Sequence, residues 1–203
     1  YGGKCEDMLF VSIRTGARVI PIINNQPVRG TCGYSGELGH VKVSGGSRIC
    51  SCGRYGCLNS EISDVAIVNK IIDGIKVGRF REIAEAVQGD MDKVTMMSFI
   101  NSVREGHADS LKLLDQVKGF IADILSMLVN IFAPRKIVLF GELAELGDIL
   151  LDGVRERVSE NIIKENQILM GFPHPSGANV NRLVQLEQNK EEMINFLKKR
   201  TVS

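Results

Sequence analysis

Charge of one sign is missing from this sequence: 25 lysines and arginines face 24 aspartates and glutamates, a formal net charge of +1. A chain that grips a phosphate backbone with its own surface needs a basic excess, so direct contact with DNA is not expected of it. Long apolar runs are missing too. None reaches the roughly 20 residues that a membrane-spanning helix requires, and no signal-peptide pattern opens the sequence. Internal repeats and low-complexity segments are absent, and histidine is scarce, with His40, His107 and His174 making up all three. What is present is enough apolar material, 44% of 203 residues, to bury a core as a single domain.

The residues that carry chemistry are concentrated between Gly36 and Ser60. His40, Cys50, Cys52 and Cys57 fall within eighteen positions, among Gly39, Gly45, Gly46, Gly53 and Gly56. Cys50 and Cys52, with Cys57 close behind, have the compactness of a knuckle whose glycines permit the positive-φ turns that aim three sulfurs inward. Three thiolates and one imidazole are a donor set for closed, tetrahedral, structural zinc. Two other readings compete. A cluster of buried free thiols leaves the histidine and the density of glycine unexplained, and a disulfide across Cys-x-Cys closes too small a ring for relaxed geometry. The expectation is a structural Zn2+ on His40, Cys50, Cys52 and Cys57, with thiols that suit a reducing, cytoplasmic setting. His107 and His174 stand alone and read as loop or surface residues.

Around the knuckle the pattern is α/β. Met8 to Ile13 and Arg18 to Asn24 read as strands, Asn24-Asn25-Gln26 as a turn before Pro27 to Gly30, and His40 to Val43 as a further strand. Arg14-Thr15-Gly16 forms the tip between the first two, where backbone amides face either solvent or an anion. Ser60 is positioned to cap a helix running to about Lys76, with Ile62, Val65, Ala66, Val68, Ile71 and Ile72 buried. Shorter helices follow over Phe80 to Val87 and Asp92 to Arg104, the second ended by Gly106. Met96 and Met97 in the latter read as core filling. Asp109 to Phe132 is the longest helical stretch, apolar on nearly every face in its second half, as suits the middle of a domain or an oligomer interface. Pro134 stops it. Lys136 to Phe140 is then a buried strand leading through Gly141-Glu142 into a helix over Leu146 to Ile162, an order that sets a ligand at the carboxyl end of a parallel strand. Ile168 to Met170 reads as a last strand, Phe172 to Pro175 as a rigid loop and Asn181 to Arg200 as a surface helix.

The run G-E-L-G-H from Gly36 to His40, then C-S-C-G-R-Y-G-C-L from Cys50 to Leu58, resembles the signature of the ROK family of sugar kinases and sugar-responsive transcriptional repressors. Weaker similarity extends from about Leu9 to about Ile163. The resemblance implies an α/β chain forming the second lobe of the actin-like ATPase and sugar-kinase (ribonuclease H-like) fold, with a zinc knuckle. It implies one carboxyl-terminal sugar-sensing domain over residues 1–203, the first lobe and any DNA-binding domain lying upstream. Glu37 and His40 would then contact a sugar, His40 through the ring nitrogen that the metal leaves free, and Asn59 stands where the family has a sugar-binding glutamate.

Thr15, Gly16 and Gly141 fall in the family's phosphate and nucleotide loops, and there the chain departs from the pattern. Arg14 and Arg18 replace flanking glycines, which obstructs a close approach of phosphate, although arginine also binds anions directly. Glu142 replaces the second glycine of a pair and sets a carboxylate where a polyphosphate would lie. Both loops therefore read as degenerate.

Three functions remain open: the sensor of a sugar-responsive regulator, the second lobe of an ATP-dependent sugar kinase, or a zinc-stabilised dimerisation module without a ligand. No catalytic residue is assigned, because the family's general base lies in the lobe upstream. The implied partners are a sugar or sugar derivative, a second copy in a homodimer or homotetramer, and DNA only through a domain outside this chain.

Overall fold

Alternating burial along Met8–Ile13 (β1) turns Leu9, Val11 and Ile13 into the core and leaves Phe10 outside. In the computed structural model, which describes residues 7–32 and 34–162, this strand lies inside a four-stranded sheet. It pairs antiparallel with Ala17–Ile23 (β2), which pairs in turn with Gln26–Pro27 (β3). On its other side runs Lys136–Phe140 (β4), parallel to it. The register sets Val11 opposite Val19 on the buried face and Phe10 opposite Ile20 on the other. Asn24 and Asn25, at φ 51° and 62°, make the left-handed turn that suits the twist between β2 and β3.

The sheet packs against helices Leu58–Ile62 (α1), Asp64–Lys76 (α2), Arg81–Ala86 (α3), Met96–Arg104 (α4), Ala108–Phe132 (α5) and Asp148–Asn161 (α6). One continuous core takes Leu9 and Val11 from the sheet, Ile62 from α1, Ile67 and Ile71 from α2, Phe99 and Ile100 from α4, and Leu114, Val117 and Ile121 from α5. The described residues belong to a unit that ends at Ile162. No helix among them is long and apolar enough to cross a membrane.

Several expectations shift. The helix expected from Ser60 to Lys76 is two helices, because Ser63 is extended (φ −63°, ψ 156°) and its hydroxyl accepts from the Ala66 amide as the cap of α2. Ser60 instead donates to the Cys57 carbonyl at 2.7 Å. The break rotates α2, so that Ile67 is buried and Val65 is 55% exposed. His40–Val43 is not a strand: Leu38–His40 is a single 3-10 turn, followed by one bridge from Lys42 to Cys57. The helix expected from Asp92 starts at Met96, where Thr95 and Ser98 form a capping box. Met96 is buried and Met97 is exposed. α5 is wetted along one side after all, at Asp123, Met127 and Ile131, and β4 is half-buried, its Phe140 61% exposed. The helix expected from Leu146 begins at Asp148, after a 3-10 turn over Glu142–Leu146. His107 is a loop residue at the start of α5, its ring 3.1 Å from the Ser102 hydroxyl. The strand over 168–170, the loop with His174 and the helix over 181–200 lie outside the described residues.

Candidate metal centre and adjoining cavity

The knuckle is a tight reversal. The Cys50 amide donates to the Arg54 carbonyl and the Gly53 amide to the Cys50 carbonyl, both at 2.8 Å, while Ile49 bridges Tyr55. Gly56 is required at its position: φ is +75°, and a Cβ there would lie 2.7 Å from the Gly46 carbonyl oxygen. The bridge from Lys42 to Cys57 and the bond from the Leu58 amide to the Val41 carbonyl bring the residues after His40 alongside the last cysteine.

This folding collects the four expected ligands. One donor atom from each of His40, Cys50, Cys52 and Cys57 lies within 4.8 Å of all the others. Cys52 Sγ and Cys57 Sγ are 3.7 Å apart, and Cys50 Sγ is 3.7 Å from His40 Nδ1. A tetrahedron with metal–sulfur bonds of about 2.3 Å and a metal–nitrogen bond of about 2.0 Å has sulfur–sulfur edges of about 3.8 Å and sulfur–nitrogen edges of about 3.5 Å, so both separations are close to those of a zinc-sized site. Cys50 and Cys57 are buried, His40 is half-buried and Cys52 is exposed. The backbone N–H and then the side chain of Arg54 hold the Cys52 thiol down to about 6, whereas burial pushes Cys57 up to about 11. A cation bound here must therefore displace the Cys57 proton, which makes its affinity pH-dependent.

Beside the knuckle, between the segment 48–51 and the first turns of α1 and α2, is a cavity of about 500 Å3. Thr15, Arg48, Cys50, Asn59 and Asn69 line it, with Ile49 and Val65 as exposed apolar residues. Asn59 is half-buried and its Oδ1 accepts from the Ala17 amide at 2.7 Å, which leaves Nδ2 as the group able to donate. The same side chain lies so close over Gly39 that a Cβ there would collide with the amide. Of the expected sugar contacts, only Asn59 lines this cavity. His40 turns Nδ1 to Cys50, and one oxygen of Glu37 is held at 2.8 Å by Arg18, joining two residues that the sequence assigned to separate sites.

The expected nucleotide loops are also placed. Gly16 follows Thr15 at the tip between β1 and β2. Gly141 (φ +135°) presses its backbone onto the carbonyl of Ile13, where a Cβ could not fit. The Asp64 amide donates to the Arg14 carbonyl at 3.0 Å, docking the start of α2 on that tip. Burial first, then the charge of Glu142, raises the Asp64 carboxyl, with Arg14 opposing them. Asp64, one of whose oxygens is buried without a hydrogen-bond partner, and Glu142 thus both stand on segments packed against the hairpin.

Sequence reasoning missed Asp64 and Glu61. Glu61 is 4% exposed on α1, in a window that reads as an amphipathic helix, and only its partners distinguish it. The Ser-Asp pair at 63–64 was the one available signal for Asp64, since it marks a helix start.

The sequence profile of the ROK family matches residues 2–177. The chain belongs to the ROK family. Within it, the xylose repressor of Caldicellulosiruptor bescii is 28% identical over 158 residues, 78% of this chain and 39% of that protein. The glucokinase of Halalkalibacterium halodurans is 26% identical over 159 residues, 76% of this chain and 47% of the enzyme. The ROK glucokinase of Streptomyces griseus, crystallised with glucose and AMPPNP, superposes with a TM-score of 0.69 at 22% identity, covering 86% of this chain and 55% of that one. The fold is therefore that of the ROK repressors and sugar kinases, and the chain spans less than half the length of these two curated relatives.

Proposed function

We propose that this ROK chain is the sugar-sensing effector part of a transcriptional regulator, built on a structural Zn2+ held by His40, Cys50, Cys52 and Cys57. When bound, such an ion supplies cross-linking and no open coordination position. His40, fixed through Nδ1, offers Nε2 to a ligand, Glu37 offers the oxygen that Arg18 does not hold, and Asn59 offers its Nδ2. A sugar docking on these groups shifts the population of a linked DNA-binding domain outside this chain. The thiol ligands favour a reducing, cytoplasmic setting, and the exposed Met127 and Ile131 on α5 favour a homodimer or homotetramer.

The observation that carries the choice of sensor over kinase is that acidic residues stand on both segments packed against the hairpin tip, Asp64 through its amide on the Arg14 carbonyl and Glu142 next to Gly141 on the Ile13 carbonyl. A polyphosphate placed there meets the charge of Glu142 and would add to the cost of ionising the buried Asp64, and Arg14 supplies one compensating cation. The second reading, a kinase lobe, keeps the support of the glucokinase relative and of Thr15 standing in the cavity beside Asn59. Calorimetry on the full chain with a panel of hexoses and with MgATP separates them. The expected result is heat from at least one sugar and none from MgATP. Binding of MgATP would overturn the sensor in favour of the kinase, and no sugar binding at all would leave a zinc-stabilised dimerisation module.

A further inference from the structure

Neither the metal ligands nor the expected sugar contacts account for the buried carboxylate behind them. Glu61 Oε1 accepts the amides of Ser47 at 3.0 Å and Arg48 at 3.1 Å, in the segment that leads into the ligand Cys50. Its other oxygen takes Lys70 Nζ of α2 at 2.7 Å, and the same ammonium reaches the Glu61 carbonyl at 2.9 Å. Lys70 also lies 5.6 Å over the Phe120 ring of α5. Both charged groups are nearly dry, with side-chain exposures of 13% and 5%. A buried carboxylate this fully satisfied holds its neighbours to a single arrangement, since any displacement strands charge or amides without partners. The segment it grips at 47–48 continues into one wall of the cavity, at 48–51, and α1 and α2 form the other.

We propose that Glu61 is a positioning residue for the metal centre, its carboxylate tying the segment that carries Cys50 to α1, with Lys70 fixing it from α2. This rests on the zinc reading above. Groups that orient metal ligands without touching the ion typically change affinity by 10–100-fold when removed. Zn2+ affinity of the full chain, measured by competition with a chromogenic chelator, should fall by that factor in Glu61→Ala. Glu61→Gln keeps an acceptor for the two amides and should lose less. Asp109→Ala is the control. Its carboxylate binds the Phe80 amide and Arg79 far from the knuckle in sequence, so it should lower thermal stability and leave Zn2+ affinity unchanged. Should Glu61→Ala fail to fold, hydrogen exchange of the Ser47 and Arg48 amides in Glu61→Gln decides, with faster exchange expected alongside the weaker affinity. Both quantities within twofold of the natural chain would overturn the proposal. A natural chain that takes up no Zn2+ would instead overturn the metal reading itself.

Discussion

Asn59 joins three stretches of chain that lie far apart in sequence. Its carbonyl oxygen takes the Ala17 amide, 42 positions away, and its side chain sits flat on Gly39 in the turn that bears Glu37 and His40. Gly39→Ala should therefore displace the amide and destabilise the protein by about 1–3 kcal/mol, as overpacking does, read from the urea midpoint at unchanged slope. The gathering of His40, Cys50, Cys52 and Cys57 was legible in the sequence because knuckle spacing is local. The pairing of Arg18 with Glu37 and of Asn59 with Ala17 was not, since each joins segments whose approach depends on the whole β-hairpin and on α1.

At the scale of elements, the junction of α1 and α2 makes the sharpest test. Ser63 caps α2 with its hydroxyl on the Ala66 amide, and Asp64 follows at the positive end of the helix. Ser63→Ala should lose about 1 kcal/mol and lower the melting midpoint by roughly 2–4 °C, whereas Ser60→Ala, which caps nothing, should change it less. Strands β1 and β2 and the long helix α5 were readable because their apolar periodicity is sustained over several turns or alternations. The break at Ser63 was not, because Ser60 and Ser63 carry equal capping signals and only the fold around Arg14 and Cys57 decides between them. The strand expected at His40 gave way to a turn for a similar reason: alternation over four residues is too short to outweigh the closure of the knuckle.

For the whole molecule, metal removal and acid are the informative perturbations. The structural zinc proposed above would contribute its binding free energy to folding, so on that reading EDTA should lower the melting midpoint by about 10 °C or more, the shift expected for a loss of roughly 4 kcal/mol in a domain of this size. In acid, Glu61 and Asp109 act together. Burial works to raise Glu61, but the Lys70 ammonium with the Arg48 and Ser47 amides outweighs it, and the Phe80 amide and Arg79 hold Asp109 down. Their stabilisation is fully present above the unfolded carboxylate values near 4 and is lost as pH falls toward their lower folded values. Asp64, held high, works in the opposite sense. Urea midpoints measured in EDTA, which removes metal release from the comparison, should fall below about pH 4 between pH 7 and pH 3, and less steeply in Glu61→Gln.

The ion pair between Arg18 and Glu37 has one further consequence. It stands at the surface, where dissolved ions weaken such pairs over about 10 Å at 0.1 M. A pair of hydroxyls that takes both oxygens of Glu37 must displace the guanidinium from the one that Arg18 holds. Raising the ionic strength therefore handicaps the competitor and not the uncharged guest, so a neutral carbohydrate should be held more tightly in brine than in dilute buffer.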